Sequence, residues 1–132
     1  MSNEPEYELD DFVNDCAMGT SKVSVSHGAM STARTDFNLG TQVNVLEFIA
    51  NGGLEKPVFI NKRVWDNNPD RNIVIMVDAY AFFSGLIYGY IAFVYVAKTE
   101  RWLIKSFKKH QGPDSRNLAF LGPLKKLLDK GV

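Results

Sequence analysis

From Ala79 to Ala97 the chain reads AYAFFSGLIYGYIAFVYVA, nineteen residues without one charge, and their conformation decides what the rest can fold into. By length the run could cross a bilayer as a single helix, and Gly85 and Gly89 stand at the spacing that brings membrane helices together. Three features favour two strands folded back on each other instead: the Ser84-Gly85 break, the richness in aromatic and β-branched residues, and Asp78 inside the longer apolar run. A hairpin of buried strands is therefore expected. A small membrane-anchored protein spanning 79–97 is the alternative.

The segments around the run complete an α+β pattern. Asn3, Pro5 and Glu6 form a helix-start signature, and Leu9, Phe12, Val13 and Cys16 follow at helical spacing until Gly19. This predicts an acidic amphipathic helix over about 4–18, within an acidic segment 1–20. Val23 and Val25 alternate with serines as a short peripheral strand. Residues 28–40 read as loop, and Thr41 or Asn44 caps a second helix that Asn51-Gly52-Gly53 ends. Strands are expected at 58–65, 72–83, 86–96 and 101–109, joined by short loops into an antiparallel meander within 57–110. A short basic amphipathic helix over 113–131, with Leu118, Leu121, Leu124, Leu127 and Leu128, closes the chain. The whole of 1–132 reads as one domain.

The third strand is apolar on both sides, with Tyr88, Tyr90, Ala92, Val94 and Val96 on one face and Ile87, Ile91, Phe93 and Tyr95 on the other. Such a strand sits centrally and is covered twice. One helical layer covers one face. The C-terminal helix, the acidic first helix or a second copy of the chain must cover the second.

The 15 basic and 15 acidic residues cancel, but not locally. Six acids and no base occupy 1–20, whereas nine bases face three acids over 98–132. The two ends are complementary, within one chain or between two. The one cysteine, Cys16, forms no internal disulfide, and no leader-like segment opens the chain, which together predict a cytoplasmic protein.

Gly89-Tyr90 followed by Phe93-Val94 approaches an RNA-binding strand motif. However, Tyr90 and Phe93 stand three apart and so face opposite ways, which removes the stacking pair. On the fourth strand, strict alternation puts Arg101, Leu103, Lys105, Phe107 and Lys109 on one face and Trp102, Ile104, Ser106 and Lys108 on the other. Lysines there protect a sheet edge or grip a phosphate chain. No zinc spacing, phosphate loop, dinucleotide fingerprint or nucleophile elbow is present in the sequence, and neither metal nor cofactor is expected. Asp66-x-Asn68-x-Asp70 opens like a calcium loop, but Arg71 takes the place of the required glycine, so the residues are expected to make a turn. Asp78, on a strand face with Met76 and Tyr80, needs a partner if buried.

The order of helices before strands, together with the ending Trp102-Leu103-Ile104-Lys105-Ser106-Phe107-Lys108-Lys109-His110, resembles small ribonuclease toxins of the RelE kind. The resemblance spans the middle and C-terminal half of the chain. It implies metal-independent cleavage of RNA, with Arg101, Lys105 and Lys109 binding phosphate and His110 as acid or base.

The leading expectation is a non-catalytic accessory or interaction module that self-associates, most simply as a dimer, and binds a protein partner or small ligand. Asp78, Tyr80, Trp102, Lys105 and Lys109 are its candidate binding residues. The RelE-like ribonuclease is the alternative.

Overall fold

In the computed structural model, which describes residues 4–110, three helices lie on one face of a five-stranded sheet. The helices are α1 (Leu9–Cys16), α2 (His27–Phe37) and α3 (Gln42–Ala50), and the strands are β1 (Val23–Val25), β2 (Glu55–Val64), β3 (Met76–Ser84), β4 (Ile87–Val96) and β5 (Arg101–Lys109). Strand order is β1-β5-β4-β3-β2. The meander from β2 to β5 is antiparallel as expected, but β1 joins β5 in parallel and makes the sheet mixed. The short Val23–Val25 segment thus forms an edge strand of the main sheet, its register held by Trp102 N–H donating to the Lys22 carbonyl and Ser26 N–H to that of Ile104.

The nineteen uncharged residues form the β3–β4 hairpin. Ser84 pairs with Ile87 across a two-residue loop, where Gly85 takes φ 59° at the first central position, the place for glycine in such a turn. Among the described residues no helix is long and apolar enough to cross a membrane, so the single-span alternative is not supported.

The loop expected over 28–40 is instead helix α2. Ser26 caps it through an Oγ that accepts from Ala29 N–H, and Asn38 ends it in the left-handed conformation at φ 58°. Its buried stripe is only Ala29, Met30 and Ala33, too small and too interrupted by Thr32 and Thr35 to register as apolar periodicity. Helix α1 starts later than expected, because the Glu6 and Tyr7 amides are engaged elsewhere. The expected C-terminal helix at 113–131 lies outside the described residues.

The core between helices and sheet is an aromatic slab. Phe12 of α1 stacks on Phe93 of β4, ring centres 3.9 Å apart and parallel to within 1°, and Trp102 meets both edge-on. Phe37, Phe48, Phe82 and Phe107 make a second group at the other end. A Cβ on Gly89 would stand 2.4 Å from the Phe82 ring, so the glycine of the RNA-motif-like stretch makes room for a core phenylalanine. Ile75, Val77, Ala79, Ala92 and Val94 form a separate apolar cluster on the second face, edged by Ile60, Trp65, Tyr90, Val96 and Leu103. The acidic first helix, one candidate to cover that face, packs in the same layer as α2 and α3.

Candidate nucleic-acid interface

A one-residue irregularity in β5 decides which basic residues share a face. Phe93 pairs with Ile104 and Ala92 with Ser106, so Lys105 is the extra residue of a bulge. Strict alternation would send Phe107 outward with Lys105. Instead Phe107 is wholly buried with Trp102 and Ile104 under the helices, and Lys108 turns to the second face. The face assignments expected beyond position 105 are therefore reversed.

That second face gathers cations and rings. The Lys105 ammonium stands 5.6 Å from the centre of the Trp65 ring, and that of Lys108 stands 5.5 Å from the centre of Tyr90. His110 stacks on Tyr88 at 4.7 Å, parallel to within 1°, and meets Tyr90 edge-on at 5.6 Å. Arg63 of β2 shares this face: it pairs with Val77, one place beyond the Lys62–Asp78 pair of the helix side. Burial lowers the Lys105 pKa, the positive charge of Arg63 lowers it further, and Asp66 opposes both. The Trp65 Nε1–H is sealed from solvent and, among the described residues, meets no acceptor. Rings two residues apart on β4, flanked by cations, are what a polyanion with stacking bases requires.

Of the residues expected to bind or catalyse, only Lys105 and His110 meet here. The Arg101 guanidinium is committed to the carbonyls of Thr20 and Ser21 and to the Ser24 Oγ, where it ties β5 to the segment before β1. Lys109 shares the phase of Phe107 rather than Lys108, and its N–H donates to Asp36 of α2. Trp102 lies under the helices and donates its Nε1–H to Asp15 at 2.8 Å. It borders a cleft of about 630 Å³ with Glu6, Tyr7, Asp11 and Tyr95.

Asp78 and Tyr80 also face the helices, away from Lys105. Asp78 is fully buried and accepts the Glu6 and Tyr7 amides, each at 2.9 Å, with one carboxylate oxygen apiece. Burial raises its pKa, and the two amide bonds oppose the rise. Tyr7 continues the clasp by donating its hydroxyl to the Met76 carbonyl at 2.7 Å, and Lys62 reaches Glu6 at 3.4 Å. The carboxylate's role is to hold the N-terminal segment against β3. Burial beside Asp78 pushes the Tyr80 hydroxyl up to about 12.

Two further expectations are settled by geometry. Cys16 is buried on the apolar side of α1, its thiol raised to about 12 by burial and by Asp15. The Asp66–Asp70 stretch makes a side-chain-stitched turn, with Asn68 donating to the Ile73 carbonyl and accepting from Asp70 N–H.

Sequence reasoning missed Lys108, Tyr88, Tyr90, Trp65 and Arg63 as site residues. The facing of Tyr88 and Tyr90 was legible from alternation; that of Lys108 was not, because nothing in the local sequence marks the bulge. Comparison with protein-family models, with curated proteins and with solved structures finds no match.

Proposed function

We propose that the chain binds single-stranded RNA across the second face of its sheet and cleaves it without a metal, in the manner of the RelE-like toxins it resembles. The observation that carries this reading is Tyr90, which holds the Lys108 ammonium over its face and the His110 ring at its edge. A base stacked near Tyr88 or Tyr90 would bring its phosphate within reach of Lys108 and Lys105. Attack by the ribose 2′-hydroxyl on the adjacent phosphorus would form a 2′,3′-cyclic phosphate and release the 5′-hydroxyl of the next nucleotide. His110 suits the transfer of the proton from attacking to leaving oxygen, and Lys108 the stabilisation of the extra negative charge on phosphorus.

The test is a fluorescent single-stranded RNA incubated with the protein in EDTA. Wild type should bind at low salt and produce ends carrying cyclic phosphate. Lys108→Ala should weaken binding about tenfold, as loss of a close charge contact does, and His110→Ala should abolish cleavage while leaving most of the binding. Lys109→Ala, on the other face, should behave as wild type. Absence of binding by wild type at low salt removes the proposal.

A second reading, the self-associating interaction module, is favoured by β2. This ten-residue strand is an outer edge of the sheet, with Val58 and Val64 each 49 % exposed, and the apolar tips Val74 and Leu86 stand near its two ends. Unpaired edges of this kind recruit another strand. Val58→Lys/Val64→Lys would place charges on this edge, and a mass by light scattering that falls from dimer to monomer would support the reading. A monomeric wild type would end it.

A further inference from the structure

We propose that the far rim of the second face carries a nucleotide pocket, in which a base stacks on Trp65 and its phosphate meets Arg71 and Lys98. The pocket is a cleft of about 600 Å³ walled by Trp65, Ile73, Ile75 and Val96, with Arg71 and Lys98 beside them. Small-ligand sites span about 300–1,000 Å³, so the space is sufficient.

The cleft owes its wall to the longest connection in the sheet. β2 ends at Val64 and β3 begins at Met76, so this loop runs over 65–75, whereas 85–86 and 97–100 suffice for the next two turns. A long hairpin loop closed by its own side chains is a recurrent design of binding loops. Here Asn68 N–H donates to the Trp65 carbonyl and its Nδ2 to the Ile73 carbonyl, while its Oδ1 accepts from Asp70 N–H. Asn68 is buried, so the stitching is enclosed by the loop it holds. A cleft shaped before the ligand arrives loses less entropy on binding.

The chemistry around the cleft names the ligand. Trp65 supplies an indole on which a flat ring stacks, and Ile73, Ile75 and Val96 keep its surroundings apolar. Cations gather at the same place. The Lys105 ammonium stands 5.6 Å from the Trp65 ring centre, and Lys98, Arg71 and Lys105 form no ion pair among the described residues. Asp70, the one acid bordering the cleft, already accepts Asn72 N–H through Oδ1. The ligand must therefore be flat, aromatic and anionic, and a nucleotide is all three. A neutral ring would leave the cations unanswered, and inorganic phosphate would leave the indole bare. Val96 and Tyr90 lie about 20 Å apart along β4, so one RNA strand would reach both the cleft and the Lys108–Tyr90–His110 group. That extension rests on the RNA reading above; the pocket itself does not.

Trp65 reports binding in the full-length protein. Titration with adenosine 5′-monophosphate should quench its fluorescence saturably. Adenosine should bind about tenfold more weakly, as loss of a charged hydrogen bond implies, and inorganic phosphate should not quench. Arg71→Ala/Lys98→Ala, at two exposed positions, should weaken nucleotide binding about tenfold, and Lys109→Ala should leave it unchanged. Trp65→Phe should lose the signal, since Trp102 lies on the other face. Absence of saturable quenching in wild type overturns the proposal, and so does adenosine binding as tightly as its monophosphate or quenching that persists in Trp65→Phe. Single-stranded RNA then separates the two sources of nucleotide. Binding about tenfold tighter than the monophosphate, with the gain lost in Lys108→Ala, assigns the pocket to an RNA strand; equal affinity assigns it to free nucleotides, and either supports the pocket. RNA bound with Trp65 unquenched overturns the pocket and leaves the RNA reading standing. Monophosphate bound without any binding of RNA does the reverse.

Discussion

The two faces of the sheet are built from the same strands and put to different ends. Under the helices, Phe82, Phe93, Ile104 and Phe107 are wholly buried, and the one charge among them, Asp78, is satisfied by two backbone amides. On the second face small residues make the floor, and long side chains tipped with charge or a polar ring atom make the rim: Arg63, Trp65, Lys105, Lys108, Tyr90 and His110. The first face carries stability, because large rings are buried in contact with one another there. The second holds cationic groups that a core could not accommodate, since cations stay charged only where water or an anion reaches them.

Substitutions should separate the faces sharply. Phe93→Ala removes a ring stacked on Phe12 and enclosed by Trp102 and Tyr80. It should cost about 3–5 kcal/mol in urea unfolding. If it costs less than about 1 kcal/mol, the helix-side slab is not the stabilising face.

Next in size is Asp78→Ala, which frees two amides of the N-terminal clasp and should cost about 3 kcal/mol at pH 7, read by the same unfolding curve. The pH dependence sharpens this. Because burial raises the Asp78 pKa, the folded chain keeps the proton at pH values where the unfolded chain has released it. The group's contribution is fully present below the ordinary carboxylate pKa of about 3.9 and is lost as pH rises through the raised folded value. Wild type measured against Asp78→Asn should therefore lose relative stability over that window; a relative gain would show that the amide bonds outweigh burial.

Gly89→Ala places a methyl against the Phe82 ring and should cost about 1–3 kcal/mol, visible as a lower melting temperature. No change would mean the ring swings aside. At the small end, Lys105→Ala on the second face should move stability by no more than about 0.5 kcal/mol while flattening the salt dependence of RNA binding. A large loss of stability there would erase the distinction between the faces.

Much of this architecture was legible from residue pattern. The β3–β4 hairpin announced itself through Ser84-Gly85 and β-branched content, β5 through its bounds, and the burial of Cys16 through helical spacing. Helix α2 was hidden because its core stripe is made of alanines and one methionine. The parallel pairing of β1 was hidden too, since three residues carry no sign of which edge they will join. The site was half visible: Lys105 and His110 could be named, but Asp78, Tyr80 and Trp102 belong to the covered face. Lys108 and Lys109 were exchanged by the bulge. Alternation is a dependable rule only while every residue has a partner, and here one does not.

That unmatched residue sets the handedness of everything downstream. Were the same residues to alternate strictly with no bulge, Phe107 would project into water and Lys108 would be driven among phenylalanines. One unpartnered residue is thus enough to keep a phenylalanine in the core and to set the next cation on the opposite surface.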